Sequence, residues 1–253
     1  MNGSHPVITS SQNPIFRDWK RLLTGRGMKK QARALVAGAK IVSDAVSVFP
    51  DRCEAWITTG DNMPGPPGNF PHYRLAPELF QTLDVFGTRS PLLVVCPPEI
   101  QPWSPEAGLP PGLSVLVPFQ DPENVGAVIR SAVAFGADRV ILLEESAHPF
   151  HPKTLRASGG AVLSARLFAG PRITDLPTDL PLTPLSKEGS AISDYRFPDP
   201  CGLLAGVEGQ GLPSVWRARA VSIPIRSEVE SLNASAGVAI ALYLWSAAKT
   251  KGK

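Results

Sequence analysis

The stretch LSVLVPFQDPENVGAVIRSAVAFGADRVILL, residues 113–143, decides how the C-terminal half of this 253-residue chain folds. Leu113 to Pro118 is an apolar run that reads as a strand, Asn124 to Phe135 carries apolar residues at helical spacing, and Arg139 to Leu143 reads as a second strand. Asp121 as N-cap, Pro122 at the first helical position and Glu123 in the first turn are the chemistry of a helix start. Further apolar strands are predicted over Leu203 to Val207 and Ala220 to Ile225, and a last helix from about Ala234 to Ala247. Continuously apolar strands separated by helices predict an α/β fold, a parallel sheet with helices on both faces. Such sheets bind ligands in the loops at the carboxyl ends of their strands.

Working back from this stretch, Pro97, Pro98, Pro102, Pro105, Pro110 and Pro111 are too dense for a helix or a central strand. They predict a stiff linker over 99–112 between an N-terminal domain, 1–98, and a C-terminal domain, 113–253. In the N-terminal domain, Phe16, Trp19, Leu22 and Leu23 predict a helix broken near Gly25 and Gly27. A helical stretch from Ala32 to Phe49 follows, then strands over Glu54 to Thr58 and Leu92 to Cys96. Seven basic residues between Arg17 and Arg33 stand against one acid, Asp18, a local charge of +6 in a chain whose net charge is +3. Such a face is either solvated or a grip for phosphate, because Lys and Arg that neutralise phosphates supply affinity independent of base sequence.

A hydrophobic content of 43% excludes wholesale disorder, and 27 prolines and 22 glycines without a period exclude a collagen-like chain. Cys53, Cys96 and Cys201 form an odd set without CxxC spacing, which predicts neither a disulfide framework nor a zinc site, only small buried hydrophobes. His148 and His151 lack a third ligand nearby, so no metal is expected. The start, MNGSHPVITS, has no basic region followed by an apolar run, so a cytoplasmic protein is expected. The uncharged run Ser231 to Ala248 holds Ser, Asn and Gly in its first half and predicts a buried helix, with no membrane span.

Three segments could carry chemistry. In DPENVGAVIR, 121–130, the stripe Val125, Val128, Ile129, Ala132 and Val133 is expected to face the sheet, and Arg130 lies one turn beyond Gly126, where a phosphate would fit. In LLAGVEGQGL, 203–212, a buried strand runs into three glycines around Glu208, an acid with little packing purpose at a strand end. It is not the GxGxxG dinucleotide fingerprint, so a doubly wound nucleotide-binding enzyme is a distant reading. In SLNASAG, 231–237, Ser231 or Asn233 could cap the last helix or line a ligand pocket. Lys153, Arg156, Ser158, Gly159 and Gly160 form a basic, glycine-bearing segment, either a turn or a phosphate contact.

In their order and spacing, DPENVGAVIR, LLAGVEGQGL and SIPIRSEVESLNASAG resemble the three motifs of the SpoU (TrmH-type) RNA ribose 2′-O-methyltransferases, with RASGGA at 156–161 a fourth matching patch. The resemblance spans about Ser114 to Ser246, and SSQNPIFRDWKRLL resembles the start of the small α/β RNA-binding substrate domain that many members carry. Members usually have Glu-Gly where this chain has Ala37-Gly38, and more often Val and Ala at the positions of Ala234 and Gly237.

The resemblance implies a SPOUT fold with a C-terminal trefoil knot, which general topology rules would not suggest. It implies a homodimer and an S-adenosylmethionine cofactor held by Leu204, Gly206, Ile223, Ser231 and Leu232, with Asn124, Arg130, Glu208 and Asn233 as the catalytic constellation. The expected partner is RNA, ribosomal by preference, gripped by Lys20, Arg21, Lys29, Lys30 and Arg156, with Phe16 and Trp19 nearby. Two alternatives stand beside it: a transfer RNA 2′-O-methyltransferase, or a non-catalytic RNA-binding ribosome-assembly factor of the same fold. Because a guanidinium is always protonated, Arg130 is expected to grip phosphate and stabilise charge on the 2′-oxygen rather than act as a base, with the proton leaving through that phosphate, a water or Glu208.

Overall fold

A computed structural model describes residues 7–60, 62–209 and 211–251. The leader-free start read from the sequence lies partly outside them, as does Gln210 of the glycine loop. The chain divides into two compact units: residues up to Pro98 together with His148–Ser164, and Glu99–Ala147 together with the chain from Ala165 onward.

The first unit opens with β1 (Val7–Ile8) and α1 (Pro14–Arg21). Asn13 starts that helix, its Oδ1 accepting from the backbone N–H groups of Ile15 and Phe16, with Pro14 in the first turn, where a missing N–H costs nothing. The break expected near Gly25 and Gly27 falls at residues 22–24, and the two glycines lie in the first turn of a second helix, α2 (Gly25–Gln31). Thr24 caps it, and at Gly27 a Cβ would stand 2.0 Å from the Arg21 carbonyl oxygen, so only glycine allows the two helices to approach this closely.

The helical stretch expected from Ala32 to Phe49 splits at Gly38 (φ +94) into β2 (Ala34–Val36) and α3 (Ala39–Val48). Wholly buried Ala-Leu-Val pairs antiparallel with a neighbouring strand, a tertiary contact that overrides helical periodicity. With β3 (Cys53–Thr59), β4 (His72–Leu75), α4 (Pro77–Leu83) and β5 (Leu92–Val95), the unit completes a five-stranded sheet of order β1-β4-β3-β5-β2. Its core takes Phe16 and Trp19 from α1, Leu22 just beyond it, and Leu79, Phe80 and Leu83 from α4.

The second unit is built on a seven-stranded, all-parallel sheet. Its elements are β6 (Gln101–Pro102), β7 (Leu113–Val117), α5 (Pro122–Ala134), β8 (Arg139–Leu142), β9 (Leu167–Ala169), β10 (Leu182–Ala191), β11 (Cys201–Leu204), α7 (Ser214–Arg217), β12 (Val221–Ser222) and α8 (Ala234–Lys251), while α6 (Pro152–Ala157) belongs to the first unit. The strand order is β12-β10-β11-β7-β8-β9-β6. Every residue of β7 and β11 is buried, which requires cover on both faces of the sheet. Burying Val125, Val128 and Ile129 of α5 contributes roughly 1.5–3 kcal/mol per side chain. Val133, expected on the same stripe, is instead 44% exposed.

Residues 99–112, expected as a linker, group with the second unit: β6 adds to β9 at the sheet edge, and Trp103 and Leu109 sit in the core beside Leu116 and Leu204. Two buried side chains fasten this proline-rich segment where composition alone suggested a stiff linker. All three cysteines are free thiols, Cys201 buried and Cys53 and Cys96 only half-buried.

Candidate active site

The site forms where parallel strands end. Beyond β7 the chain runs through Phe119 and Gln120 to Asp121, whose side chain accepts from the Glu123 N–H and caps α5. Beyond β11, Val207 and Gly211 exchange two backbone hydrogen bonds of 3.0 and 2.7 Å, closing a tight loop in which Gly209 and Gly211 adopt positive φ. Gly206 lies under this loop: a Cβ there would stand 2.8 Å from the Gly211 carbonyl carbon, so the turn requires glycine. The loop holds Glu208 over the start of α5.

The Glu208 carboxylate accepts from the backbone N–H groups of Gln120 (3.0 Å) and Asp121 (2.9 Å) and from Asn124 Nδ2 (2.5 Å). Asn124 Oδ1 accepts in turn from Asn233 Nδ2 at 3.1 Å. Asn233 Oδ1 takes the Ser235 N–H, the Ser235 hydroxyl and the Ala236 N–H, so Asn233 rather than Ser231 caps α8. A carboxylate only accepts and a backbone N–H only donates, so each amide in the row Glu208–Asn124–Asn233 has one permitted orientation. Three of the four residues expected to act together are thereby joined into one rigid array. Arg130 stands outside it: exposed on α5, it makes no hydrogen bond or ion pair among the described residues.

Beside the array lies a cavity of about 160 Å³. Phe119, Ala205, Val221, Ile223, Ile225, Leu232 and Val238 give it apolar walls, while Gly206, Gly237, Ser231 and Asn233 expose backbone and small polar groups. Gly206, Ile223, Ser231 and Leu232 were expected there from the sequence. Leu204 was too, but it is wholly buried in β11 and packs into the core; its neighbour Ala205 lines the wall instead. The sequence reading missed Phe119, one step beyond a recognised strand, and Leu185, Ser186 and Lys187, in a strand that it did not predict at all. Flat apolar walls edged by backbone polar groups suit a purine with its sugar, so the residues present fit the adenosyl part of S-adenosylmethionine.

In the first unit, Lys20, Lys29, Lys30 and Arg156 are exposed, whereas Arg21 pairs with Asp18 at 2.7 Å. Arg156, carried by α6, stacks its guanidinium 4.6 Å from the Phe86 ring. Phe16 and Trp19 are not available to a ligand: they are 2% and 5% exposed, and Trp19 meets Tyr73 edge-on. Among the described residues no group of three or more His, Cys, Asp or Glu side chains could hold a metal ion. Among the described residues no helix is long and apolar enough to cross a membrane.

Known proteins share this architecture. The chain is 57% identical over 249 residues to the ribosomal RNA small subunit methyltransferase G 2 of Syntrophobacter fumaroxidans, which covers 97% of this chain; the chain spans about half the length of that relative. It is 26% identical over 251 residues, 93% of this chain and 97% of the relative, to the 23S rRNA (guanosine(2553)-2′-O)-methyltransferase RlmP of Bacillus subtilis. The crystal structure of the SpoU methyltransferase AviRb from Streptomyces viridochromogenes with AdoMet superposes with a TM-score of 0.80 at 24% identity, over 96% of this chain and all of that one, a likeness of fold. The sequence model of the SpoU rRNA methylase family matches residues 113–243, more than half of the chain, and takes in Asn124, Arg130, Glu208 and Asn233. The chain therefore belongs to the SpoU rRNA methylase family.

Proposed function

We propose that this protein is an S-adenosylmethionine-dependent methyltransferase acting on a ribose 2′-hydroxyl of ribosomal RNA. The observation that carries the reading is the Glu208–Asn124–Asn233 row beside a cavity at the carboxyl ends of a parallel sheet. Ribose chemistry is supported by the full-length relative named a 2′-O-methyltransferase of 23S rRNA. The relative at 57% identity is twice as long, so its name does not say which half carries the small-subunit activity.

When bound, the cofactor supplies an electrophilic methyl group on a sulfonium. The protein's task is alignment, since in-line displacement at carbon gains most of its rate from holding the attacking oxygen at close range on the correct axis. Three donors fix the Glu208 carboxylate in place, so its role is to position Asn124. Asn124 and Asn233 present neutral groups at the cavity edge that orient the ribose. Arg130 grips the adjoining phosphate with its planar fork and offsets negative charge developing on the 2′-oxygen. The hydroxyl proton leaves to that phosphate or to water.

The first unit serves as the RNA-binding domain. Lys20, Lys29, Lys30 and Arg156 are its phosphate contacts, with Arg21 a weaker one because Asp18 already neutralises it. Val133, Ile240 and Tyr243, all exposed on α5 and α8, leave an apolar face that a second copy would cover, in line with a homodimer. The trefoil knot and a cytoplasmic location complete this reading.

The test is calorimetric titration of the purified protein with S-adenosylmethionine, then incubation with total bacterial RNA and labelled donor, and mapping of the mark. Donor binding and a 2′-O-methyl group at one ribosomal nucleotide are expected. Absence of donor binding overturns the enzyme reading, and a mark on transfer RNA or on a base overturns the substrate. Replacing Lys20, Lys29 and Lys30 by Gln should reduce the slope of log affinity against log salt by about two to three.

A further inference from the structure

Strand β10 does not run straight. Leu185 and Ser190 both register with Val221 of β12, so residues 186–189 leave the ladder as a bulge before pairing resumes with Ser190 on Val221 and Ala191 on Ser222. The bulge is pinned at both ends. At Gly189 a Cβ would stand 2.3 Å from the Ala220 carbonyl oxygen, so only glycine allows the chain to lie there, and Ser222 donates its hydroxyl to the Gly189 carbonyl at 2.7 Å. At the other end, Ser186 Oγ accepts from the Glu188 N–H. Bulges of this kind re-aim a side chain beside a site, and here they turn Ser186 and Lys187 to the cavity.

Among the described residues that line the cavity, Lys187 is the only charged one. It is exposed and makes no ion pair among the described residues. S-adenosylmethionine has a neutral purine, two cationic groups (ammonium and sulfonium) and a single anionic group, the carboxylate of its amino-acid end. The only cationic side chain on the wall and the only anionic group on the ligand form one complementary charge pair.

We propose that Lys187, presented by the β10 bulge, binds the carboxylate of the methyl donor and so fixes which end of the donor lies toward β10. This rests on the S-adenosylmethionine reading of the cavity and adds an orientation to it. With the carboxylate at β10, the adenosyl group takes the walls of Ile223, Leu232 and Val238. Lys187 is a binding and positioning residue and touches none of the reacting atoms.

The experiment is a cycle of two proteins and two ligands: wild type and Lys187→Met, each titrated calorimetrically with S-adenosylmethionine and with its decarboxylated analogue, at low and at high salt. Lys187 is exposed, so the variant should melt with the wild type. The expected result is an affinity for S-adenosylmethionine lower by about fivefold in Lys187→Met, the size of one partly screened ion pair. The analogue should bind both proteins alike, Lys187→Arg should restore most of the loss, and high salt should narrow the gap. Unchanged affinity for S-adenosylmethionine overturns the proposal, as does an equal loss for both ligands, which would mean that the substitution disturbs the bulge. If the wild type binds S-adenosylmethionine and the variant loses only RNA affinity, Lys187 serves the RNA and the proposal falls while the enzyme reading stands. If the wild type binds neither ligand, both fall.

Discussion

The side-chain amide of Asn124 and the carboxylate of Glu208, 84 positions apart in the chain, meet at 2.5 Å. The contact ties the first turn of α5 to the glycine loop after β11, and through Asn233 it reaches the first turn of α8. Glu208→Gln should break this tie, because all three groups facing the carboxylate are donors and an amide would turn its own NH₂ against one of them. A stability loss of about 1–3 kcal/mol is expected, with methyl transfer reduced more than donor affinity. Chemical denaturation and single-turnover assays check it; wild-type turnover would separate Glu208 from the chemistry.

Arg130 stands outside the hydrogen-bonded row and does not line the cavity. Arg130→Ala should therefore leave donor affinity within about twofold while lowering turnover by about a hundredfold or more. Arg130→Lys should also be severely impaired, because an ammonium lacks the bidentate fork. Equal losses of binding and turnover would make Arg130 a structural residue.

Gly206→Ala should abolish donor binding. Its Cβ would press within 2.9 Å of the Gly211 and Leu212 backbone, and a Cβ fixed to one main chain against another main chain cannot rotate away. The Val207–Gly211 turn would have to open, displacing Glu208 with it. Calorimetry and amide exchange across 206–212 would register the change.

Gly237→Ala is expected to act in the opposite sense on stability. A Cβ there would lie 3.8 Å from Ile223 Cδ1, an ordinary contact, and Gly237 sits in the first turns of α8, where alanine is favoured by about 0.8–1 kcal/mol. Thermal unfolding should show a higher midpoint. The added methyl also narrows the cavity, so donor affinity should change while RNA affinity does not.

Burial lowers His148 to about 4, with Lys29 and His151 adding cationic repulsion. Its Nδ1 accepts from the Phe150 N–H, which requires that nitrogen to be unprotonated. The folded state thus disfavours the proton that the unfolded chain takes up near its ordinary value of 6.5. Stability should be full above about pH 6.5 and fall on acidification toward pH 4, by at most about 3 kcal/mol. His148→Asn should flatten melting temperature against pH across this window; an unchanged slope would assign it elsewhere.

Much of the second unit was legible in the sequence because its signals are local. Asp121, Pro122 and Glu123 mark a helix start whatever surrounds them, and the apolar run 113–117 has no other home than a covered sheet. Glu208 stood out for the same reason, as an acid in a glycine turn that packing does not explain. Signals of this kind failed where partners were distant. Ala34–Val36 reads as helix until β5 pairs with it, and β10 gives no strand signal because its proline, serine and glycine are tolerated only by a strand that bulges.

What the sequence by itself determined is the set of groups: three polar motifs, a basic segment, and the strand and helix signals around them. Only the tertiary structure decided how these groups are used. It buried Phe16 and Trp19 in the core, fastened the proline-rich segment through Trp103 and carried α6 into the first unit. It also placed Lys187 at the cavity and set Asn233 both as the cap of α8 and as a partner of Asn124. The physical reason is that propensity and capping act within one or two turns of chain. A hydrogen bond between Asn124 and Asn233, 109 residues apart, exists only once sheet, loop and helix have been packed against one another.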